Sequence, residues 1–296
     1  MGNAGGVAVS VCRGGNVIKP VEAQFGPGGQ VAWLGWDDYL SWLSGKKRRA
    51  VTSWGEVELG PAWAPGEHMA FIGPTGEGKT THAVGVLGLR KYVLALDPKG
   101  EDETLSASGY VRVSSIWQDS FKWRMSHRAD AKTWDHVWEQ IDKGRPARII
   151  IGGPSDDDEQ FTALKGLMAE AVQFCRYAGG FTQYCDEFEI ASSRDMFKLA
   201  PAINLGLISA RRKGISVVNS YQAQAWVSKH AIRQARKAVL CPTGDRDMIK
   251  NVSQAMGRDW QAVAAAVDEL PKYHTLTIPR GPRSGPMVMT RAPKIN

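Results

Sequence analysis

GPTGEGKT, Gly73 to Thr80, fills every fixed position of the phosphate-binding pattern G-x-x-x-x-G-K-[ST]. Glycines in such a loop let backbone N–H groups turn inward around the α- and β-phosphates of a nucleotide. Lys79 is placed to reach the β- and γ-phosphates, and the Thr80 hydroxyl to meet Mg²⁺. The neighbours fit. HMAFI (His68 to Ile72) predicts a short buried strand and Thr80 to Arg90 a helix, the context in which the pattern carries its mechanism. A chance match in a glycine-rich chain is the bland alternative, and the flanking strand and helix argue against it. Gly73, Pro74, Thr75, Gly76, Glu77, Gly78, Lys79, Thr80 and Thr81 form the candidate contact set for ATP.

The 296 residues suffice for one large α/β domain with an appendage, or for two small domains. No apolar run approaches the roughly 18 residues that a membrane helix needs, and the start, MGNAGGVAVSV, lacks a basic, apolar signal. Cys12, Cys175, Cys185 and Cys241 are widely spaced with no C-x-x-C pair, which predicts reduced thiols in a cytoplasmic protein. The six histidines are scattered, so the only metal expected is the Mg²⁺ of the loop.

Net charge is +7, with pI about 9.2. The distribution says more than the sum. From Met196 to Gly244 stand eight basic residues and no acid. One sign of charge over such a span predicts a surface that faces phosphate. Lys229, Arg233, Arg236 and Lys237 fall at i, i+4, i+7 and i+8, one face if the segment is helical. They are the candidate DNA contacts. The alternative is a solvated basic face.

Residues 1–60 read as a glycine-rich, partly irregular extension. It carries a helix at Trp36 to Leu43, a basic cluster at Lys46 to Arg49 and a strand at Glu56 to Leu59. Trp33, Trp36 and Trp42 either pack this segment onto the core or serve a partner, with packing preferred. Residues 61–296 read as the core. Strands are expected at Tyr92 to Leu96, Arg148 to Ile151, Phe181 to Cys185, Ile215 to Ser220 and Ala238 to Cys241. The clearest helix is Glu159 to Tyr177, with Phe161, Leu164, Leu167, Met168, Ala171, Val172 and Cys175 on one face and Gly179–Gly180 as its stop. Such alternation gives a mostly parallel sheet covered by helices. His274 to Ile278 and Met287 to Thr290 form a terminal hairpin.

FTQYCDEFE ends an apolar strand in Asp186–Glu187. A parallel strand next to the loop would place both carboxylates opposite Lys79 and Thr80. Asp186 would then hold Mg²⁺, and Glu187 would orient the water that attacks the γ-phosphate. The alternative is a solvated acidic pair. Gln222, beyond the strand ISVVNS, sits where a polar group can contact the γ-phosphate or the water. It could equally cap a loop. ARRKG, before that strand, offers an arginine finger toward a neighbouring subunit's nucleotide, or a DNA-facing cluster.

Together these motifs resemble the FtsK/HerA superfamily of ring-forming, DNA-pumping ATPases. GEHMAFIGPTGEGKT is similar to that family's strand and loop, through His68, Gly73, Thr75, Gly76, Gly78, Lys79 and Thr80. VLALDPKGE (Val93 to Glu101) looks like the D-P-K-G-E of conjugative coupling proteins. Asp186–Glu187 matches the Walker B pair. ARRKGISVVNSYQ resembles G-R-x-x-G-I-x-h-x-x-x-T-Q, and LPKYHTLTIPRG resembles the closing strand. The resemblance spans about Val57 to Pro293. It implies a P-loop NTPase fold of RecA-like, ASCE type and ATP hydrolysis with Mg²⁺. It also implies double-stranded DNA as partner and a homo-oligomeric ring, expected to be a hexamer. Within it Glu187, Lys79, Gln222 and Arg211 are catalytic, with Arg211 or Arg212 the finger, and Thr80 and Asp186 the metal ligands. Departures stand at Ala210, at Ser220-Tyr221-Gln222 and at Ala223–Gln224, where the family has Gly, a direct T-Q and R-P.

The expectation is therefore a cytosolic motor that translocates or packages DNA, working with a portal, capsid or mobilisation partner. The runner-up is a terminase-like packaging ATPase. Few acids follow Asp247 (Asp259, Asp268 and Glu269), which leaves little for a nuclease. A small-molecule P-loop kinase would need a lid and would lack the DE pair. An assembly module would bind ATP and pump nothing.

Overall fold

A computed structural model describes residues 30–52, 55–100, 102–115, 132–133, 141, 143–152, 158–193, 196–222, 229–281 and 284–293. Cys12, Glu101 and Ala223–Gln224, named above, lie outside the described residues. The chain divides into two compact units.

One unit comprises the described residues of Pro65–Ala70 and Thr80–Gln222. It holds the first part of β4 (His68–Ile72) and most of α2 (Lys79–Leu87). There follow β5 (Tyr92–Asp97), α3 (Glu103–Ala107), β6 (Val111–Ser115), β7 (Lys132–Thr133), β8 (Ala147–Gly152) and α4 (Asp158–Ala178). Next come β9 (Thr182–Cys185), α5 (Phe188–Ser192), α6 (Ala200–Lys213) and β10 (Ser216–Tyr221). The strands run β4-β10-β9-β5-β8-β6-β7. β5, β8, β9 and β10 pair in parallel, with Leu94 opposite both Gln183 and Ile149, and Val217 opposite Gln183. Central strands buried on both faces read as continuous apolar runs. YVLALD and ARIIIG are such runs, and Val93 to Leu96 are fully buried.

α4 shows how sequence sets packing here. Leu164, Leu167, Met168, Ala171, Val172 and Cys175 are buried, at the expected helical spacing. Phe161 is half-buried and stacks on Phe197 at 4.9 Å. The helix stops at Gly179 and Gly180, both at φ 70°, a conformation that costs glycine little. Gly180 N–H then donates to Lys213 O at 2.9 Å. The expected neighbour relation is corrected in this unit. β9, which carries the acids, is not beside β4, because β10 lies between them.

The second unit comprises the described residues of 30–64, Phe71–Lys79 and 229–293. Its elements are β1 (Val31–Trp33), α1 (Trp36–Leu43), β2 (Arg49–Thr52), β3 (Gly55–Glu58), the end of β4, α7 (Lys229–Gln234) and β11 (Ala235–Leu240). α8 (Arg246–Met256), α9 (Trp260–Asp268), β12 (His274–Pro279) and β13 (Met287–Arg291) complete it. β12 and β13 form the expected antiparallel hairpin, with Leu276 opposite Met289. β11 extends it antiparallel to β12, and β1 adds parallel to β13. β2 and β3 pair separately. In β12, Leu276 and Ile278 alternate with Thr275 and Thr277, and all four are buried. Tyr39 of α1 shares a 2.9 Å hydrogen bond with the Thr277 hydroxyl, so α1 covers the threonine face. Trp42 is buried and donates its indole N–H to Gly60 O at 2.7 Å, satisfying the polar end of a large apolar group. Trp33 and Trp36 are half-buried. Among the described residues no helix is long and apolar enough to cross a membrane.

Candidate nucleotide site

The loop leaves the buried strand β4 at Gly73. Its φ is 154°, and a Cβ there would stand 2.6 Å from the Cβ of Cys241, so only glycine fits. Gly76 and Gly78 take φ 83° and 84°, the left-handed turns that fold N–H groups onto an anion. Lys79 is buried, and its ammonium donates to Pro74 O at 2.7 Å, back across the loop it closes. α2 begins at Lys79. A helix N-terminus fed by a glycine loop favours phosphate through its free N–H groups and its dipole.

The carboxylate site is built by the ends of β9, β10 and β5 and the start of α2. Tyr184 and Asp186 are two apart at the end of β9, and the Tyr184 hydroxyl donates to Asp186 Oδ1 at 2.7 Å. Thr80 directs its hydroxyl at the same oxygen from 3.4 Å. The residue paired with Thr80 is thus Asp186, across 106 positions of sequence. Burial pushes the Asp186 carboxyl up to about 7, and the charges of Asp102, Glu187 and Asp97 add to this. The Tyr184 hydrogen bond works against it. Desolvation is the main cause, with neighbouring carboxylates behind it. A hydroxyl and a carboxylate side by side, short of compensating charge, fit a hard divalent cation whose other ligands are phosphate and water. Thr80 and Asp186 would hold it.

Glu187 follows at φ 48°, left-handed backbone that a non-glycine residue takes at a cost. That turn brings Glu187 Oε1 to two donors at once. Lys99 Nζ stands 2.5 Å away, and the side-chain amide of Gln222 donates to the same oxygen. Gln222 is fixed at its backbone too, its N–H donating to Glu189 Oε1 at 2.6 Å. Tyr221, the residue before Gln222, is accommodated by β10 itself. Tyr221 is the last residue of the strand, buried against Phe188 with ring centroids 5.3 Å apart.

Two neighbouring devices hold this edge in shape. His68 Nε2 donates to Leu207 O at 3.1 Å while its Nδ1 accepts from Val217 N–H at 3.0 Å, so one ring ties β4, α6 and β10. Asp97 ends β5 and accepts from Gly100 N–H at 2.9 Å and Asp102 N–H at 3.2 Å, closing the turn written D-P-K-G. Burial raises the Asp97 carboxyl, and those N–H groups partly offset the rise. His82, fully buried on α2, is held neutral, because burial lowers it to about 3.

Sequence reading did not assign Lys99, Tyr184 or Glu189. Tyr184 had a signal, since residues two apart on a strand share a face. Lys99 lay in a quoted motif without a role. Arg211 and Arg212 fall in the last turn of α6, with Arg212 exposed. The side chains of Arg211 and Lys229 lie outside what the structure describes.

The basic stripe requires correction. α7 ends at Gln234 and β11 starts at Ala235, so Lys229, Arg233, Arg236 and Lys237 do not share one helix face. Lys237 is fully buried. Its ammonium donates to Pro61 O at 2.7 Å and Ala62 O at 3.2 Å and lies 5.3 Å from the Trp42 ring centroid. It is not a DNA contact. Arg233 is exposed and Arg236 half-buried.

No family model matches the chain, and no curated protein matches it in sequence. Solved structures do. The bacterial conjugative coupling protein TrwBΔN70 is 12% identical, with TM-score 0.55, over 90% of this chain and 93% of its own. The genome packaging NTPase B204 from Sulfolobus turreted icosahedral virus 2, in complex with sulfate, is 16% identical, with TM-score 0.51, over 78% of this chain and 98% of its own. VirB4 of Thermoanaerobacter pseudethanolicus is 8% identical, with TM-score 0.50, over 77% and 89%. At such identities the likeness establishes the fold. The chain is a P-loop NTPase in architecture, a RecA-like, mostly parallel sheet covered by helices.

Proposed function

We propose that the chain is an ATP-hydrolysing oligomeric motor of FtsK/HerA type that translocates or packages double-stranded DNA. The observation that carries this reading is the convergence on Glu187. A carboxylate that accepts from Gln222 and Lys99, one residue from the Thr80–Asp186 pair, has the layout of a hydrolytic site. A kinase would need its catalytic groups around a second substrate. The names of the similar structures, a genome packaging NTPase and a conjugative coupling protein, support DNA as cargo.

In this reading the glycine loop and Lys79 bind the β- and γ-phosphates of ATP. Thr80 and Asp186 would hold Mg²⁺, which would supply charge stabilisation to the phosphates. Glu187 accepts a proton from, and aims, the attacking water. Gln222 senses the change at that water through their shared hydrogen bond. Arg211 serves as the finger in trans, in a ring taken as a hexamer. Residues 1–60 are kept as an extension of the 61–296 core. A cytoplasmic setting and a portal, capsid or mobilisation partner belong to the same proposal. Arg233 and Arg236, with Lys229, remain the phosphate-facing candidates.

The test is ATP hydrolysis with and without duplex DNA, alongside particle size with and without nucleotide. DNA-stimulated turnover by a nucleotide-stabilised oligomer is expected. Nucleotide-driven assembly without DNA stimulation would select the assembly module instead. The finger has its own test. Arg211→Ala should bind ATP and turn it over slowly, and mixing it with Glu187→Gln subunits should restore part of the activity. Mixed rings without rescue would remove Arg211 from the site.

A further inference from the structure

Tyr273 stands in the turn before β12 with φ 64°, left-handed backbone that bulky residues avoid and glycine takes freely. The turn holds it there. Ala292 N–H donates to Tyr273 O at 2.8 Å, and His274 N–H donates to Pro271 O at 3.0 Å. The side chain that justifies this backbone is not a packing residue. Tyr273 is 44% exposed, and its hydroxyl has no hydrogen-bond partner among the described residues. Its position is the informative part. A Cβ placed on Gly78 would meet Tyr273 Cδ1 at 3.5 Å and Ala292 Cβ at 3.7 Å. The ring therefore lies beside the phosphate loop, separated from Gly78, the residue before Lys79, by room for a single added carbon. The Lys272 ammonium lies 5.0 Å from the ring centroid.

An exposed aromatic ring on a strained backbone, beside a phosphate cradle, has one chemistry to offer a nucleotide. We propose that Tyr273 is the stacking platform for the nucleoside part of the bound nucleotide, with Lys272 steering the polyphosphate toward the loop. The inference rests on the reading of Gly73 to Thr80 as a nucleotide site. Stacking on a tyrosine face is tolerant of base identity, because every base presents a π-face. Nucleoside triphosphates without regard to base are therefore the ligand class, with ATP chosen by supply and not by this contact.

Tripolyphosphate, which has phosphates and no nucleoside, separates the two claims. Binding of ATP, GTP and tripolyphosphate is measured by calorimetry for the full chain and for Tyr273→Phe, Tyr273→Ala and Tyr273→Gly. The phenylalanine variant should bind like the wild type. The alanine and glycine variants should lose about tenfold or more in affinity for both ATP and GTP, the scale of one stacked base, and keep tripolyphosphate binding. Tyr273→Gly relieves the left-handed backbone, so its melting temperature without ligand should not fall. A loss of nucleotide affinity without a loss of stability is the signature of a contact residue. Equal weakening of ATP and tripolyphosphate, or no weakening of either, overturns the platform and leaves the loop standing. Wild-type protein that binds none of the three ligands overturns both.

Discussion

Two charged regions of this molecule, one acidic and one basic, both read as ligand sites in the sequence and differ in three dimensions. At the end of β9, Asp186 and Glu187 are gathered among other acids, and burial together with those charges raises Asp186. At the α7–β11 junction, cations are spent on backbone carbonyls. Lys237 serves Pro61 and Ala62, while Arg280 donates to Ala235 O at 2.8 Å, Ala255 O at 2.8 Å and Ile232 O at 2.6 Å. Arg258 adds Pro279 O at 3.0 Å. The first region lacks charge that a ligand can bring. In the second, Lys237 and Arg280 have already used their charge to finish a helix end and a strand, while Arg233 stays exposed. A count of lysines and arginines does not distinguish a surface offered to DNA from a fold that caps its own carbonyls.

The largest effect expected from this contrast is at Glu187. Glu187→Gln should lower single-turnover hydrolysis by about 10²–10⁴-fold, the range of a lost general base, with ATP affinity kept. Near-normal hydrolysis would return Asp186–Glu187 to the status of a buried acidic pair. Next comes Lys237→Met, which keeps the stem and leaves two carbonyls without their donor. It should lower unfolding free energy by about 1–3 kcal/mol in urea titrations, with DNA binding moved only as far as stability moves. If it instead weakened DNA binding with stability intact, the structural role given to Lys237 would be wrong.

Arg233 is the surface counterpart. Arg233→Ala should leave the urea midpoint in place, and the slope of log affinity for duplex DNA against log salt should become shallower by about 0.9. An unchanged slope would mark α7 as a solvated face. The smallest effect belongs to Lys99. Its pair with Glu187 joins a half-exposed ammonium to a mostly buried carboxylate, with side-chain exposures of 53% and 12%. Solvent screening at Lys99 holds the stability cost of Lys99→Met to under about 1 kcal/mol. A larger loss would show the pair to be structural.

What could be read in advance follows the same division. β4 was legible to the residue because five apolar or buried positions run into a loop whose glycines have a chemical reason. α4 was legible because its apolar period is long and two glycines end it. The α7–β11 boundary was not, since Arg236 and Lys237 continue a helical charge period while their backbone has already become a strand. Local charge spacing does not register the pairing of Lys237 with Pro279 on β12. α8 and α9 went unanticipated although their caps are written in the sequence. Asp245 accepts from Met248 N–H at 3.0 Å, Gly257 closes α8 at φ 68°, and Asp259 caps α9. The roles of Lys99 and Glu189 depend on a left-handed turn at Glu187 and on where Gln222 ends β10. Neither is a property of local sequence.

The central claim is that the Glu187 centre hydrolyses ATP to move DNA. Steady-state ATP hydrolysis by the oligomeric protein, titrated with duplex DNA of unrelated sequences at low salt, tests it most directly. The account predicts that turnover rises with DNA, saturates without regard to sequence and disappears in Glu187→Gln. Turnover that is indifferent to DNA in a verified oligomer, or that persists in Glu187→Gln, would contradict it.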